Sequence, residues 1–70
     1  MERLKVWYDR KGQTLTVWFD DPSLEHVAEE TGDEIVLMKD RTGRVIGFEK
    51  LNFAPADPRN VALDFETVGV

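Results

Sequence analysis

Two adjacent acidic residues, Asp20 and Asp21, are the first place in the sequence where side chains could hold a metal ion. Calcium is bound by about six to eight oxygen atoms, which calcium loops supply from alternating acidic residues around a glycine at the turn. The segment from Asp20 to Glu25 has neither that alternation nor a glycine. We therefore interpret it as a solvated turn and expect no metal site. An enzyme that uses Asp20 stays open as an alternative.

The single histidine, His26, follows Ser23 by three residues. A nucleophilic serine needs a base within hydrogen-bonding reach and donors that stabilise an oxyanion. The sequence around Ser23 contains no nucleophile-elbow motif and no glycine pair. We interpret His26 as a surface residue beside acidic side chains.

Glu49 lies in an otherwise apolar stretch. If it were buried there, its pKa would be raised, which is a common property of catalytic acids. It could instead face solvent, or pair with Arg44 or Lys5 on a neighbouring strand, and we favour pairing. We expect no catalytic residue and no cofactor, with an enzyme that uses Glu49 as the alternative.

Trp7 and Trp18, with Lys5 and Thr16, resemble a platform on which nucleic-acid bases stack. Such platforms lie in basic grooves, whereas this chain has a formal net charge of −5 and scattered basic residues. We therefore expect no nucleic-acid partner. Coverage by another chain explains the two indoles better, and we expect both to be shielded in the assembled protein.

One stretch of the sequence is strongly acidic and contains neither lysine nor arginine. Its acidic residues are Asp20, Asp21, Glu25, Glu29, Glu30, Asp33 and Glu34. The stretch is interpreted either as a solvated loop and sheet edge or as a negative patch that attracts a basic partner.

The elements that must position these side chains are strands, because apolar residues alternate with polar ones. Residues 3–8 and 14–19 predict a hairpin. A four-residue loop would pair Val6 with Val17 and place the apolar residues of both strands on one face, which we expect to be the core. Trp7 and Trp18 then become diagonal neighbours on the second face.

A second hairpin is predicted for residues 35–38 and 45–51. Its turn, Asp40 to Gly43, repeats the Asp-Arg-x-Gly pattern of the first turn, Asp9 to Gly12. Both aspartates are interpreted as turn residues whose carboxylates accept bonds from turn amides, and Gly12 is expected to adopt a positive φ.

The segments outside the hairpins give weaker signals. Residues 21–31 fit a helical turn that begins at Asp21 and ends at Gly32, but Val27–Glu30 fits a short edge strand equally well. Residues 54–60 contain two prolines and form a break. Alternation resumes from Val61 and predicts a last strand.

Residues 8–52 resemble a bacterial family of small proteins catalogued as domain of unknown function, family 2283. The similarity rests on Tyr8-Asp9 with Leu15 and Val17, and on Gly32-Asp33 followed by the run from Asp40 to Glu49. The family commonly has an acidic residue where this chain has Gln13, so a carboxylate pair with Asp9 is missing.

The resemblance implies a β-meander in which Val27–Glu30 is a strand, and it implies no activity. Members of the family resemble partners of small toxin-like proteins in some bacterial gene pairs. The resemblance ends before Val61, so the last strand is predicted from the alternation alone.

Length and composition set the remaining expectations. Seventy residues make one domain, residues 1–70. A domain of this size buries only about 60% of the surface of its unfolded chain, so its stability margin is small. The sequence has no cysteine for disulfides, no signal peptide and no long apolar run. We therefore expect a soluble, cytoplasmic, acidic protein without a membrane partner.

We predict an all-β fold, an antiparallel β-meander of five to six short strands built from two hairpins, with one short helical turn as an open alternative. The predicted function is that of a non-catalytic, self-associating interaction module. We expect a homodimer in which Val61–Val68 covers or extends a sheet. The alternative is an acidic, antitoxin-like neutraliser of a small basic protein.

Overall fold

The computed structural model of the chain describes residues 3–69, which contain one antiparallel sheet of five strands. The strands are β1 (Lys5–Asp9), β2 (Thr14–Trp18), β3 (Val27–Glu30), β4 (Ile35–Lys39) and β5 (Val45–Lys50). This architecture confirms the predicted all-β class built from two hairpins. Among the residues described, no helix is long and apolar enough to cross a membrane.

The first hairpin has the predicted register. Val6 lies opposite Val17, Tyr8 lies opposite Leu15, and residues 10–13 form the four-residue loop. The shared apolar face explains this register, because a slip by one residue would move one apolar set to the opposite face.

The role of Gly12 in the turn of this hairpin differs from the prediction. Gln13 is the residue with positive φ, at 57°, and Gly12 has no such conformation. The backbone amide of Gly12 donates a hydrogen bond of 2.9 Å to Oδ1 of Asp9. A Cβ atom on Gly12 would lie 2.7 Å from Oδ2 of Asp9, so glycine is needed there for the close approach of the carboxylate.

The second turn is organised by one carboxylate oxygen, as the sequence predicted for Asp40. Its Oδ1 accepts bonds from the Thr42 amide at 2.9 Å, the Thr42 hydroxyl at 2.7 Å and the Arg44 amide at 3.1 Å. Gly43 has a φ of 86°, a conformation that favours glycine.

Both interpretations of residues 21–31 are correct in part. A 3₁₀ turn spans Pro22–Leu24, and the Asp21 side chain caps it by accepting a 2.9 Å bond from the Ser23 amide. The chain then extends into β3, as the family resemblance implied. Gly32 does not end a helix but lies between β3 and β4, with a φ of 90°.

The strand order is β1-β2-β5-β4-β3, so the two hairpins meet through β2 and β5. The centre of the sheet therefore contains β5, in which Ile46 and Gly47 are buried. The edge contains β3, whose four residues are all exposed. Because Glu29 and Glu30 remain in water there, this order avoids desolvating their charges.

The buried apolar side chains are Trp18, Met38 and Ile46, and Val36 packs against them. Trp18 and Met38 lie on the tryptophan face of the sheet, on either side of Gly47. The expectation that the opposite face forms the core is therefore wrong for the single chain. The residues of that face on β1 and β2, such as Val6 and Tyr8, are only half-buried.

Gly47 allows this core to form. A Cβ atom at Gly47 would lie 2.7 Å from the carbonyl oxygen of Val17 and 2.9 Å from Cε3 of Trp18. Only a residue without a side chain leaves room for the indole above the central strand.

The predicted last strand does not form within the single chain. Residues 61–69 have no strand partner, and Leu63, Phe65 and Val68 are 68%, 73% and 80% exposed. The break before them contains a turn in which the Asn60 amide donates to the carbonyl oxygen of Asp57 at 3.1 Å.

We predict that Gly47→Ala lowers the free energy of unfolding by about 1–3 kcal/mol, the usual cost of overpacking a core, because neither the backbone oxygen nor the indole can move away freely. Urea unfolding followed by circular dichroism would measure it. Gly47 has no positive φ, so the loss would come from the clash of the added methyl group and not from backbone strain. A loss of less than about 1 kcal/mol at Gly47 would contradict the packing argument.

Candidate interaction surfaces

An apolar groove of about 310 Å³ lies on the face of the first hairpin opposite the tryptophans. Phe53 borders it and is fixed by a 2.8 Å bond from its amide to the carbonyl oxygen of Gln13. The Phe53 and Tyr8 rings meet edge to face, with centroids 5.5 Å apart and planes at 89°. The full lining is Val6, Tyr8, Leu15, Val17, Phe53, Val61, Ala62 and Leu63.

Strand β1 borders this groove and forms one edge of the sheet, because it pairs only with β2. Its outer side exposes apolar and basic residues together. Leu4 and Trp7 are about half exposed, at 51% and 52%, and Arg3 and Lys5 are exposed. An open edge offers unpaired backbone donors and acceptors to another strand.

The two tryptophans are diagonal neighbours, as predicted, with ring centroids 5.8 Å apart and planes at 62°. Their exposure differs, because Trp18 is 4% exposed and Trp7 is 52% exposed. The chain itself buries Trp18, so no second chain is needed to shield that indole. Shielding of Trp7 in an assembly stays a prediction.

Beside these rings lies a small cleft of about 200 Å³ whose lining includes Thr16 and Glu49. The Thr16 hydroxyl donates to Oε2 of Glu49 at 3.3 Å. The predicted pairing of Glu49 with Arg44 is wrong, because Arg44 binds Asp20 instead, and no ion pair to Lys5 occurs among residues 3–69.

Sequence reasoning gave no indication of one further polar atom in this region. Nε1 of Trp18 is buried and has no hydrogen-bond acceptor among the described residues. Trp18 lines the cleft together with Glu49 and Glu25. The two carboxylates can accept hydrogen bonds from a polar ligand, and the Thr16 hydroxyl already donates one to Glu49.

Asp20 and Asp21 both serve the local structure. Oδ2 of Asp20 binds Nη2 of Arg44 at 2.7 Å, and its Oδ1 accepts a 2.7 Å bond from the Asp21 amide. The bond from the Ser23 amide, with a further one from its hydroxyl, lowers the pKa of Asp21. Across residues 3–69, no three histidine or acidic side chains come together in a way that could hold a metal.

His26 is exposed, and its backbone amide donates to the carbonyl oxygen of Lys39 at 2.8 Å. This bond lies just before the first residue of β3. Ser23 and His26 line the same surface pocket, beside Asp40. In the described part of the chain, no hydrogen bond joins their side chains.

The acidic stretch is partly neutralised by cations from other strands. Ion pairs join Asp20 to Arg44, Glu29 to Lys39 at 3.0 Å, and Glu34 to Lys50 at 2.9 Å. Hydrogen bonds from Lys50 and then Asn52 lower the pKa of Glu34. Sequence reasoning missed these pairs, although the alignment of β4 and β5 beside the stretch could have indicated them.

Within the acidic stretch, the side chains without an ion pair in the described structure are Asp21, Glu25, Glu30 and Asp33. The last three lie on or beside β3, the second open edge of the sheet. The negative patch is therefore smaller than the sequence suggests, and it is concentrated at this edge.

Comparison with known proteins gives one match. A family model described as "Protein of unknown function (DUF2283)" matches residues 5–53, which include all five strands. No curated protein and no solved structure matches the chain significantly.

The pKa of Asp40 is lowered, first by the Thr42 hydroxyl and also by the Arg44 and Thr42 amides. A carboxylate whose pKa is lower in the folded state stabilises the fold above its unfolded pKa, and this contribution is lost as the pH falls through the folded value. We predict that Asp40→Asn is less stable than the native chain at neutral pH and that the difference shrinks in acid.

Urea unfolding at one protein concentration, from about pH 7 to about pH 3, would measure this convergence. Glu30→Gln is the control, because it removes a carboxylate that accepts no bond in the described structure, and its curve should run parallel to that of the native chain. A constant gap between Asp40→Asn and the native chain would contradict the role assigned to the charge.

Proposed function

Because the chain belongs to the DUF2283 family, whose function is unknown, we propose from its surfaces that it is a non-catalytic interaction module that self-associates as a homodimer. The observation that carries the proposal is the apolar surface left on one side of the first hairpin. Leu63 lines this groove with Val6 and Tyr8, and Phe65 and Val68 are exposed farther along the chain. Exposed apolar surface gathered at a groove marks interaction sites in soluble proteins.

The size of the core supports association. Only Trp18, Met38 and Ile46 are buried apolar residues among those described. A small domain without disulfides or metals generally needs further buried surface to be stable, and a second copy supplies it. A two-fold dimer is the commonest closed arrangement for a surface that binds itself.

The acidic side chains support a non-catalytic role. Asp20 is engaged by Arg44, and Glu49 accepts a bond from Thr16. Each carboxylate thus has a structural partner, and among the described residues neither belongs to a group of three acidic or histidine side chains that could hold a metal ion.

We predict that the full chain sediments at twice its 8.1 kDa mass at micromolar concentration. Val61→Asp, at the groove, should weaken the dimer about tenfold or more, because a charge would replace apolar surface in the interface. Val27→Asp is the matched control, since Val27 has similar exposure but lies on β3, and it should leave the dissociation constant unchanged. A folded monomer from the native chain would contradict the proposal.

A second candidate function, an acidic antitoxin-like neutraliser of a small basic protein, is favoured by the edge at β3. All four residues of β3 are exposed, and its outer backbone groups are open to an added strand. Peptides that extend a sheet bind through such edges. Glu25 and Glu30 would attract a basic chain to this one.

We predict for this candidate that the protein purifies from its native source with a basic protein in equal amount. Neutralising both acidic residues, Glu25→Gln with Glu30→Gln, should release that partner. Ala54→Lys with Ala56→Lys makes the same change in net charge at exposed positions outside β3 and should retain it. Absence of a stoichiometric basic partner would contradict the neutraliser and leave the dimer unaffected.

A further inference from the structure

We propose that residues 61–68, here called the tail, add as a sixth strand to the open edge of β1 in a second copy of the chain, and that the two copies exchange tails reciprocally. The inference rests on the proposed homodimer and identifies the surfaces that join it. A strand added to a sheet edge gains main-chain hydrogen bonds, and its alternate side chains determine which edge it fits.

The tail has the pattern of a strand that lacks a neighbour. Val61, Leu63 and Phe65 alternate with Ala62, Asp64 and Glu66. Within residues 3–69, the tail forms no backbone–backbone hydrogen bond. Leu63 and Phe65, the largest side chains of the tail, are mostly exposed to water. The single chain therefore gives the tail neither a hydrogen-bonded neighbouring strand nor a surface that buries its apolar side chains.

Position and charge both select the edge at β1. The tail starts at the groove on the first hairpin, where Val61 lies near Tyr8. Asp64 and Glu66 would meet Arg3 and Lys5 there. At β3 they would meet Glu29 and Glu30, and like charges placed opposite each other destabilise a strand pair.

One antiparallel register satisfies both faces of the added strand. It places Val61 opposite Tyr8, Leu63 opposite Val6 and Phe65 opposite Leu4 on the groove face. On the tryptophan face the partners are Ala62 with Trp7, Asp64 with Lys5, and Glu66 with Arg3. The small side chain of Ala62 leaves room for the Trp7 indole, which is half exposed in the single chain.

Other registers fit less well. A shift by one residue would carry Asp64 and Glu66 to the apolar face. A shift by two residues in either direction would retain only one of the two charge pairs, because Asp64 would face Arg3 or Trp7 instead of Lys5.

The pairing is assigned to a second copy because the single chain leaves the tail unpaired although its first residue lies beside β1. Pro55 and Pro58 precede the tail, and neither can donate a ladder hydrogen bond. The segment therefore leaves its own sheet before the alternating pattern begins.

A charge exchange on the full chain tests the inference. Lys5→Glu alone and Asp64→Lys alone each place like charges opposite each other at both tail contacts of a homodimer. Each should raise the dimer dissociation constant about tenfold, from the loss of two attractive pairs and the gain of two repulsive ones. Both residues are exposed in the single chain, so folding is expected to be unaffected.

Mixing the two variants distinguishes exchange from pairing within one chain. A mixed dimer contains no like-charge contact, because the glutamate introduced at position 5 of one copy meets the lysine introduced at position 64 of the other. The second contact of the mixed dimer keeps the native pair, Lys5 with Asp64. The mixture should therefore dimerise within about threefold of the native chain, as measured by sedimentation with one variant fluorescently labelled.

Each other outcome has one meaning. Recovery in the double variant Lys5→Glu/Asp64→Lys but not in the mixture would show that the tail pairs with its own β1, and it would overturn the exchange. Variants that dimerise as the native chain does would overturn the tail contact while the homodimer stands. A monomeric native chain would overturn the proposed homodimer as well.

Discussion

The contact between the Trp18 indole and the backbone of Gly47 is the constraint on which the rest of the fold depends. These residues lie opposite each other on β2 and β5, the strands through which the two hairpins meet. Because Gly47 has no side chain, the indole can lie against it and extend toward Met38 on β4. One large side chain thus joins three strands in a single core, and a bulkier residue 47 would overpack the contact between the hairpins.

The sequence predicted the hairpins because each is formed by residues that lie close together along the chain. Alternation fixes which residues share a face, and the Asp-Arg-x-Gly turns fix the loops, so the pairing of Val6 with Val17 followed. Alternation cannot tell which of two apolar faces is covered. That choice depends on Gly47, which lies about thirty residues from Trp18. The order of the strands was beyond local reasoning for the same reason.

The sequence could not predict the ion pairs at the candidate sites, because their partners lie far apart along the chain. The acidic stretch contains no cation of its own, yet Lys39, Arg44 and Lys50 reach it from β4, β5 and the turn between them. Asp20 and Glu49 are therefore, in the structure, partners of Arg44 and Thr16 rather than free carboxylates. The turn roles of Asp21 and Asp40 were predictable, since capping involves neighbours within four residues.

The two edges of the sheet carry opposite charges, and this asymmetry bears on how copies of the chain associate. Lys5 on β1 of one molecule would attract Glu29 and Glu30 on β3 of the next. Such pairing is heterologous, and without closure it would continue into a filament. A tail bound to β1 occupies one of the two edges that a filament needs, and reciprocal exchange closes the assembly at two copies. The acidic residues of the tail then serve two purposes, because they attract it to β1 and keep it away from β3.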